Sequence, residues 1–420
     1  MNRATPGRGH PCTTRLILGH ASLQEPEIGM FSRPAKDRTS SRYYGLDSLR
    51  ALAIGLVMLF HLQEFLPRGA QRITGLGWIG VDLFFVLSGY LIGSQLLRPY
   101  AEGKIVRPTA FYRRRFYRIL PAYLVVLLLY LLVPVWREAP KLAPAWQFFT
   151  FTWNLVVSWG QPAFSHVWSL CIEEHFYLLL PLLVLWLMHK PSLRKAGVLF
   201  GVIVAGGILA RTFIFFHELR PLRAEGYTFA ADYLQTIHWP TYTRLDGLAV
   251  GVALAGIKLF KPQWWHIAMK RGHALLVGGI ACLGVAVWLY ADLFSTSGRA
   301  AAAVIAGFPL LAMGFGLCLL SSVSANGFLA KVRLPGAKMT AMLAYSLYLT
   351  HKEIIHLDRL YFPSLTAKTW IALPFAVVTC FMAASLLYFA VERPFLLMRD
   401  SSERKRIPKV EQLSLVRPAA

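Results

Sequence analysis

Apolar residues along this chain gather into runs of about twenty, separated by short polar connections. A run of that length is what a helix needs to cross the hydrocarbon of a bilayer, and it exceeds what a buried helix of a water-soluble domain requires. Ten such stretches are readable: Leu46–Glu64, Gly77–Leu97, Phe116–Val135, Ser169–Met188, Ala196–Phe216, Thr243–Phe260, Ala274–Phe294, Ala301–Ser321, Met339–Ile355 and Trp370–Val391. The pattern predicts an all-α, polytopic integral membrane protein of about ten transmembrane helices. Residues 1–42 hold Pro, Gly, Arg and Thr without an apolar run, so they read as a disordered tail, with Met30 a second candidate start. Residues 43–398 read as the membrane domain and 399–420 as a short basic tail, with no soluble domain after the tenth helix. The connection from Arg137 to Phe164 carries Trp146, Phe148, Phe149, Phe151, Trp153 and Trp159. It is too aromatic for a solvated loop and is expected at the outer interface or re-entering the membrane.

Charge then sets the orientation. The 420 residues carry a formal net charge of +23, a value that invites a nucleic-acid reading, but no contiguous soluble basic face is available to bind one. Counted by connection, 30 Lys and Arg residues lie in one alternate set and ten in the other. The positive-inside rule therefore puts both termini in the cytoplasm, and the cell (inner or plasma) membrane is the expected location. The five cysteines lack paired or metal-ligand spacing, so neither a disulfide framework nor a zinc site is expected.

Ionisable residues inside the spans are costly, and each is a functional candidate for that reason. They fall into two layers. Arg50, Arg115 and Arg118 lie towards the cytoplasmic ends of the first and third predicted helices. His61, His166, Glu173, Glu174, His175, Arg244, Asp246 and His351 lie towards the outer ends of the first, fourth, sixth and ninth. Arg50 and His61 are eleven residues apart, which returns them to within about 20° of one helix face with a rise of about 16 Å. A snorkelling arginine and a boundary histidine would show the same spacing. Arg115 and Arg118 can present two guanidinium forks to one phosphate, although a plain topogenic cluster looks the same. Glu173, if buried, needs a partner, and a histidine is a natural one.

The chain has no Gly-x-Ser-x-Gly elbow, no His-Glu-x-x-His helix and no Gly-x-x-x-x-Gly-Lys loop. Gly75-Leu76-Gly77-Trp78-Ile79-Gly80 matches a dinucleotide fingerprint, but it enters a membrane helix instead of a βαβ unit and is discounted. His351 and His356 are five residues apart, the wrong spacing for two metal ligands on one helix face, so His356 reads as a boundary residue.

With these residues in view, the sequence from Gly45 to about Phe395 resembles the membrane acyltransferase-3 family. Arg50 followed by His61 looks like its first-helix signature, Phe84-Phe85-Val86-Leu87-Ser88-Gly89-Tyr90 resembles its second-helix motif, and Arg115-Phe116-Tyr117-Arg118 its arginine pair. His166-Val167-Trp168-Ser169-Leu170-Cys171-Ile172-Glu173-Glu174 is the most specific likeness. Arg244-Leu245-Asp246-Gly247, Tyr345-Ser346-Leu347-Tyr348-Leu349-Thr350-His351 and Glu392-Arg393-Pro394-Phe395 follow in the family's order. His175 stands where many members carry glutamine and is given no role.

The resemblance implies transfer of an acyl group, acetyl above all, from cytoplasmic acyl-coenzyme A as co-substrate to a hydroxyl of a cell-surface carbohydrate or lipid-linked sugar. No permanently bound cofactor or metal is expected. An envelope-assembly protein as partner is left open. Arg50, Arg115 and Arg118 would hold the donor, His61 would be the general base and Glu173 would orient it. Ser88, His166, Trp168, Ser169, Arg244, Asp246, Tyr348 and His351 would support them. A secondary transporter using the same residues as a proton relay is the alternative, and a non-catalytic envelope scaffold is a third reading.

Overall fold

The computed structural model describes residues 36–105, 107–156, 163–222, 227–291, 293, 299–367 and 369–404. The chain divides after Thr39, and all that follows concerns Ser40–Ala420. A long helix stands at each of the ten expected positions: α1 Lys36–His61, α2 Gly80–Ala101, α3 Pro108–Leu132, α4 Trp168–His189, α5 Leu193–Ile214, α6 Asp246–Phe260, α7 Gly272–Tyr290, α8 Ala300–Val323, α9 Ala337–Tyr361 and α10 Thr369–Leu387. After α10 come a π-helical turn, Tyr388–Glu392, and an amphipathic helix, α11, Arg393–Arg404. Among the described residues there is no strand beyond the single bridge between Leu142 and Ala163. Helix α1 begins at Lys36, inside the stretch read as tail. Most of that tail, Trp159 and the residues from 405 onward lie outside the described residues.

Eight of these helices, among the described residues, are long and apolar enough to cross a membrane, and the chain is a multi-pass membrane protein. The other two, α6 and α9, fall short for separate physical reasons. Helix α6 has only 15 residues, below the roughly 20 a span needs. Its Gly251 faces Val86 of α2, and Gly89 of α2 faces Leu248 of α6, so closely that a Cβ at either glycine would overlap the partner's backbone. Small residues of this kind let two helix backbones meet directly. Helix α9 has 25 residues but carries His351, Glu353 and Asp358, all turned inward and buried, so its average polarity hides a helix that belongs to the bundle.

The buried apolar side chains form one large cluster and one smaller cluster. Helix α8 is the most enclosed, with 67% of its apolar window buried, whereas α5 and α7 bury 22% of theirs and present apolar side chains such as Val202, Leu209, Val277 and Ile280 outward. That outward apolar surface is what lipid would solvate. Helix α1 packs on α9 and α10 through Ile54, Met58 and Leu62 against Leu343, Leu347, Ala376 and Cys380. The aromatic connection after α3 folds against the bundle instead of lying wholly at its surface. Phe148, Trp153 and Phe164 are buried while Trp146 and Phe149 stay exposed, and the Asn154 amide donates to the Trp239 carbonyl at 3.0 Å and to Thr241 Oγ1 at 2.9 Å.

Candidate functional site

Three histidines from three helical segments converge at one level of the bundle. Helix α1 ends on His61, the 3-10 turn Ser165–Val167 carries His166 into α4, and α9 supplies His351. The ring centroids of His61 and His351 are 4.7 Å apart, and those of His166 and His351 5.4 Å. His351 Nε2 lies 3.1 Å from His61 Nδ1. His61 Nδ1 is also 2.9 Å from the carbonyl of Val57, and His351 Nδ1 is 3.0 Å and 2.9 Å from the carbonyls of Leu347 and Tyr348.

His166 is steered by the residue two before it. Phe164 adopts a left-handed backbone conformation with φ 63°, uncommon for a bulky side chain and worth notice where it occurs near functional residues. Its ring stacks on Tyr130 at 4.2 Å and meets the His166 ring edge-on at 5.2 Å. His166 Nε2 then points to Glu353, 3.7 Å away and fully buried. Glu138 completes this end, its ligand-type atom lying within 4.8 Å of those of His166 and Glu353. The cation on Glu138 is Lys352, 3.0 Å away and also donating to Ser165 Oγ at 2.8 Å, while Tyr130 O–H and the Phe164 N–H donate to the same carboxylate at 2.8 Å and 3.0 Å.

Below the histidines along α9 lies a pocket of about 440 Å³. Arg50, Arg115, Arg118 and Arg399 line it together with Ser88, Ser169, Glu173, Tyr177 and Tyr348. Tyr348 links pocket to histidines, donating its O–H to the His166 carbonyl and lying 2.7 Å from Ser169 Oγ. On the other side of the histidines, five residues beyond His351, His356 lines a second cavity of about 290 Å³ with Pro134, Arg137, Glu138, Ala139 and Pro140. Helix α9 thus carries, in axial order, the arginine-lined pocket, the histidine level and an opposite opening.

The structure brings together Arg50, Arg115, Arg118, Ser88, Ser169, Glu173 and Tyr348 around the pocket, and His61, His166 and His351 above it. It corrects the partner expected for Glu173. That carboxylate accepts from Tyr177 O–H at 3.0 Å, and Tyr177 in turn sits 2.5 Å from Ser88 Oγ. Tyr177 is one turn further along the same helix, always within reach, whereas His61 comes from another helix and has its Nδ1 engaged by Val57 and His351. Arg118 is tied to Glu392 of the π-helical turn, which Ser346 Oγ also reaches at 2.8 Å. Arg115 has no carboxylate partner at salt-bridge distance among the described residues and lies over the Tyr177 ring at 5.4 Å.

Trp168, Arg244 and Asp246 belong elsewhere. Arg244 donates to Asp82 at 2.9 Å and lies over the Phe308 ring at 3.8 Å and the Trp168 ring at 5.2 Å. Asp246 accepts from both terminal nitrogens of Arg211, at 2.7 Å and 3.2 Å. These fully desolvated pairs join α5, α6 and α2 beside the site. Asp82, Arg211, Glu138, Tyr177, Lys352, Glu353 and Arg399 were missed by sequence reasoning. Asp82 and Arg211 could have been found by the rule that flags any charge inside an apolar span, and Tyr177 by its four-residue spacing from Glu173.

Residues 43–389 match a protein family described as an acyltransferase domain, acyltransferase-3. The chain is 26% identical over 376 residues to the O-acetyltransferase OatA of Staphylococcus aureus (strain NCTC 8325 / PS 47), covering 84% of this chain and 57% of OatA. It is 28% identical over 368 residues to SACOL0978 of Staphylococcus aureus (strain COL), provisionally named an O-acetyltransferase, with the same shares of 84% and 57%. The chain therefore spans little more than half the length of these relatives. No solved structure gives a significant match. On a match running from α1 through α10, the chain belongs to the acyltransferase-3 family.

Proposed function

We propose that the protein is a membrane-bound O-acyltransferase that takes an acyl group, acetyl above all, from cytoplasmic acyl-coenzyme A and passes it to a hydroxyl of a carbohydrate or lipid-linked sugar on the far side of the membrane. The reading rests on one observation: a single pocket is lined both by a group of arginines and by Ser169 and Tyr348, and Tyr348 reaches the histidine level at His166 and His351. Arginine forks suit the phosphates of a nucleotide, and a pocket of about 440 Å³ lies within the usual range for a small-molecule site. In this reading Arg50, Arg115 and Arg399 hold the nucleotide end of the donor, Arg118 stays fastened to Glu392, and the thioester reaches Ser169 and Tyr348.

His61 removes the proton of the acceptor hydroxyl, whose oxygen attacks the thioester carbonyl. The carbon–sulfur bond breaks, and the departing thiolate takes the proton back from the imidazolium, so His61 ends as it began. The acceptor would arrive through the cavity lined by Glu138 and His356. The excess of Lys and Arg in alternate connections supports cytoplasmic termini; the location in this reading is the cell membrane. The relatives named O-acetyltransferase support acetyl as the group moved and oxygen as the atom that receives it.

The test is transfer of radiolabelled acetyl from acetyl-coenzyme A into envelope material by membranes containing the protein. A transporter that used the same buried His, Glu and Arg groups would leave the label on the thioester.

A further inference from the structure

The contacts around His61 and His351 decide which ring nitrogen of each carries hydrogen. A backbone carbonyl can only accept. Val57 O sits 2.9 Å from His61 Nδ1, and Leu347 O and Tyr348 O sit 3.0 Å and 2.9 Å from His351 Nδ1. A bare Nδ1 on either ring would set a lone pair against carbonyl oxygens at hydrogen-bonding distance inside a low-dielectric bundle, where unpaired acceptors are costly. Both neutral rings therefore carry hydrogen on Nδ1 and leave Nε2 bare. The one contact between them, His351 Nε2 to His61 Nδ1 at 3.1 Å, then has a fixed direction: the single Nδ1–H of His61 is shared, its shorter leg on the Val57 carbonyl at 2.9 Å and its longer leg on His351 Nε2, which accepts.

We propose that His351 is the positioning residue of an imidazole pair, its Nε2 accepting from His61 Nδ1–H so that the bare Nε2 of His61 is turned out as the base. This deepens the proposed function and rests on His61 being the base in it. Three backbone carbonyls and one ring–ring hydrogen bond take the place that a carboxylate holds in catalytic triads. When His61 Nε2 takes the acceptor's proton, the positive ring keeps its Nδ1–H between the Val57 carbonyl and the His351 lone pair, and no proton leaves His61 before the thiolate recovers it. His351 itself stays in register because it is fully buried and held at Nδ1 by two carbonyls of its own helix. Of the other ionisable groups at this level, Lys352 is paired with Glu138 at 3.0 Å, and His166 and Glu353 lie 3.7 Å apart without a hydrogen bond, the His166 ring packing on His351 at 5.4 Å; none of them makes a hydrogen bond to His61 or His351 among the described residues.

Two measurements on the full-length protein in lipid nanodiscs test the pair. With 15N-labelled histidine, difference spectra against His61→Gln and His351→Gln variants should show both residues protonated at Nδ1 and bare at Nε2, with a coupling across the hydrogen bond from His61 Nδ1 to His351 Nε2. A spectrum with His61 protonated at Nε2, or with no such coupling, overturns the proposal whether or not the protein transfers acyl groups. In transfer assays His351→Leu should lower kcat by about 10²-fold, the loss that a misplaced reacting group brings, with the KM for acetyl-coenzyme A unchanged. His351→Gln, whose side-chain carbonyl can accept from His61 Nδ1–H, should restore part of that loss. Full kcat in His351→Leu, or no recovery in a His351→Gln variant that melts like the parent, overturns the proposal. Absence of transfer by the parent protein would remove the acyltransferase reading alone and leave the spectra to decide the ring contact.

Discussion

His61 and His351 lie 290 residues apart in the chain, yet their ring nitrogens approach to 3.1 Å. The approach follows from helix packing, because the apolar faces of α1 and α9 meet along Ile54 and Met58 against Leu343 and Leu347, and each helix carries its histidine just past that contact.

The donor pocket yields the first prediction. Arg115 has no carboxylate within salt-bridge distance among the described residues, and Arg399 reaches the same pocket from α11. Replacing either with alanine should raise the KM for acetyl-coenzyme A by about tenfold, close to the value of a lost charge-assisted hydrogen bond, with kcat little changed. Steady-state kinetics at varied donor concentration checks this, and an unchanged KM in both variants would reduce the arginines to topogenic charges.

Arg118 should behave differently from Arg115. Its partner Glu392 has a fully buried side chain and also accepts from Ser346. Arg118→Ala should lower the melting temperature in detergent, and Arg118→Ala with Glu392→Gln should recover part of it, because the second change removes the stranded charge. Equal melting temperatures for the parent and the single variant would argue that the pair contributes nothing.

A purely structural loss is expected at the second polar cluster. The Arg211 and Asp246 side chains are 0% and 4% exposed and joined by two hydrogen bonds. Arg211→Ala should cost about 3–5 kcal/mol, the usual result of leaving one member of a buried ion pair alone. Arg211→Met with Asp246→Leu should cost much less. Thermal unfolding of the single and double variants, followed by tryptophan fluorescence, decides between them.

Backbone contact between α2 and α6 sets a fourth expectation. A side chain larger than hydrogen at Gly89 or Gly251 meets the facing backbone. Gly89→Val and Gly251→Val should each reduce the folded yield sharply, whereas Gly256→Ala, with open space around it, should be tolerated. Size-exclusion profiles at matched expression provide the comparison.

The ten helix positions were legible because a membrane span declares itself by the length of its apolar run, and hydrophobic length needs no knowledge of neighbours. The ends were less legible. Helix α9 continues beyond Ile355 to Tyr361, and Asp358, which lies past the expected end, turns inward. Pairings between helices could not be read. Nothing in the chain shows that Tyr177 would meet Ser88, or that Arg244 would reach across to Asp82, since both depend on which faces meet in three dimensions. The family motifs carried His351, Ser169 and Tyr348 into view, but the hydrogen-bonding directions that give His351 its place come only from the carbonyls around it. Glu138 and Lys352 escaped notice because each looks like an ordinary loop or helix-end charge until Phe164 folds the connection back against them.

The central claim is tested most directly by acetyl transfer at matched expression. Membranes containing the parent protein, and membranes containing His61→Ala, are given acetyl-coenzyme A labelled in the acetyl group, and label is counted in envelope material. The account predicts label from the parent and a drop of about 10²- to 10⁴-fold with His61→Ala, the usual range for loss of a general base, with donor binding retained. Equal label from the two membranes would contradict it.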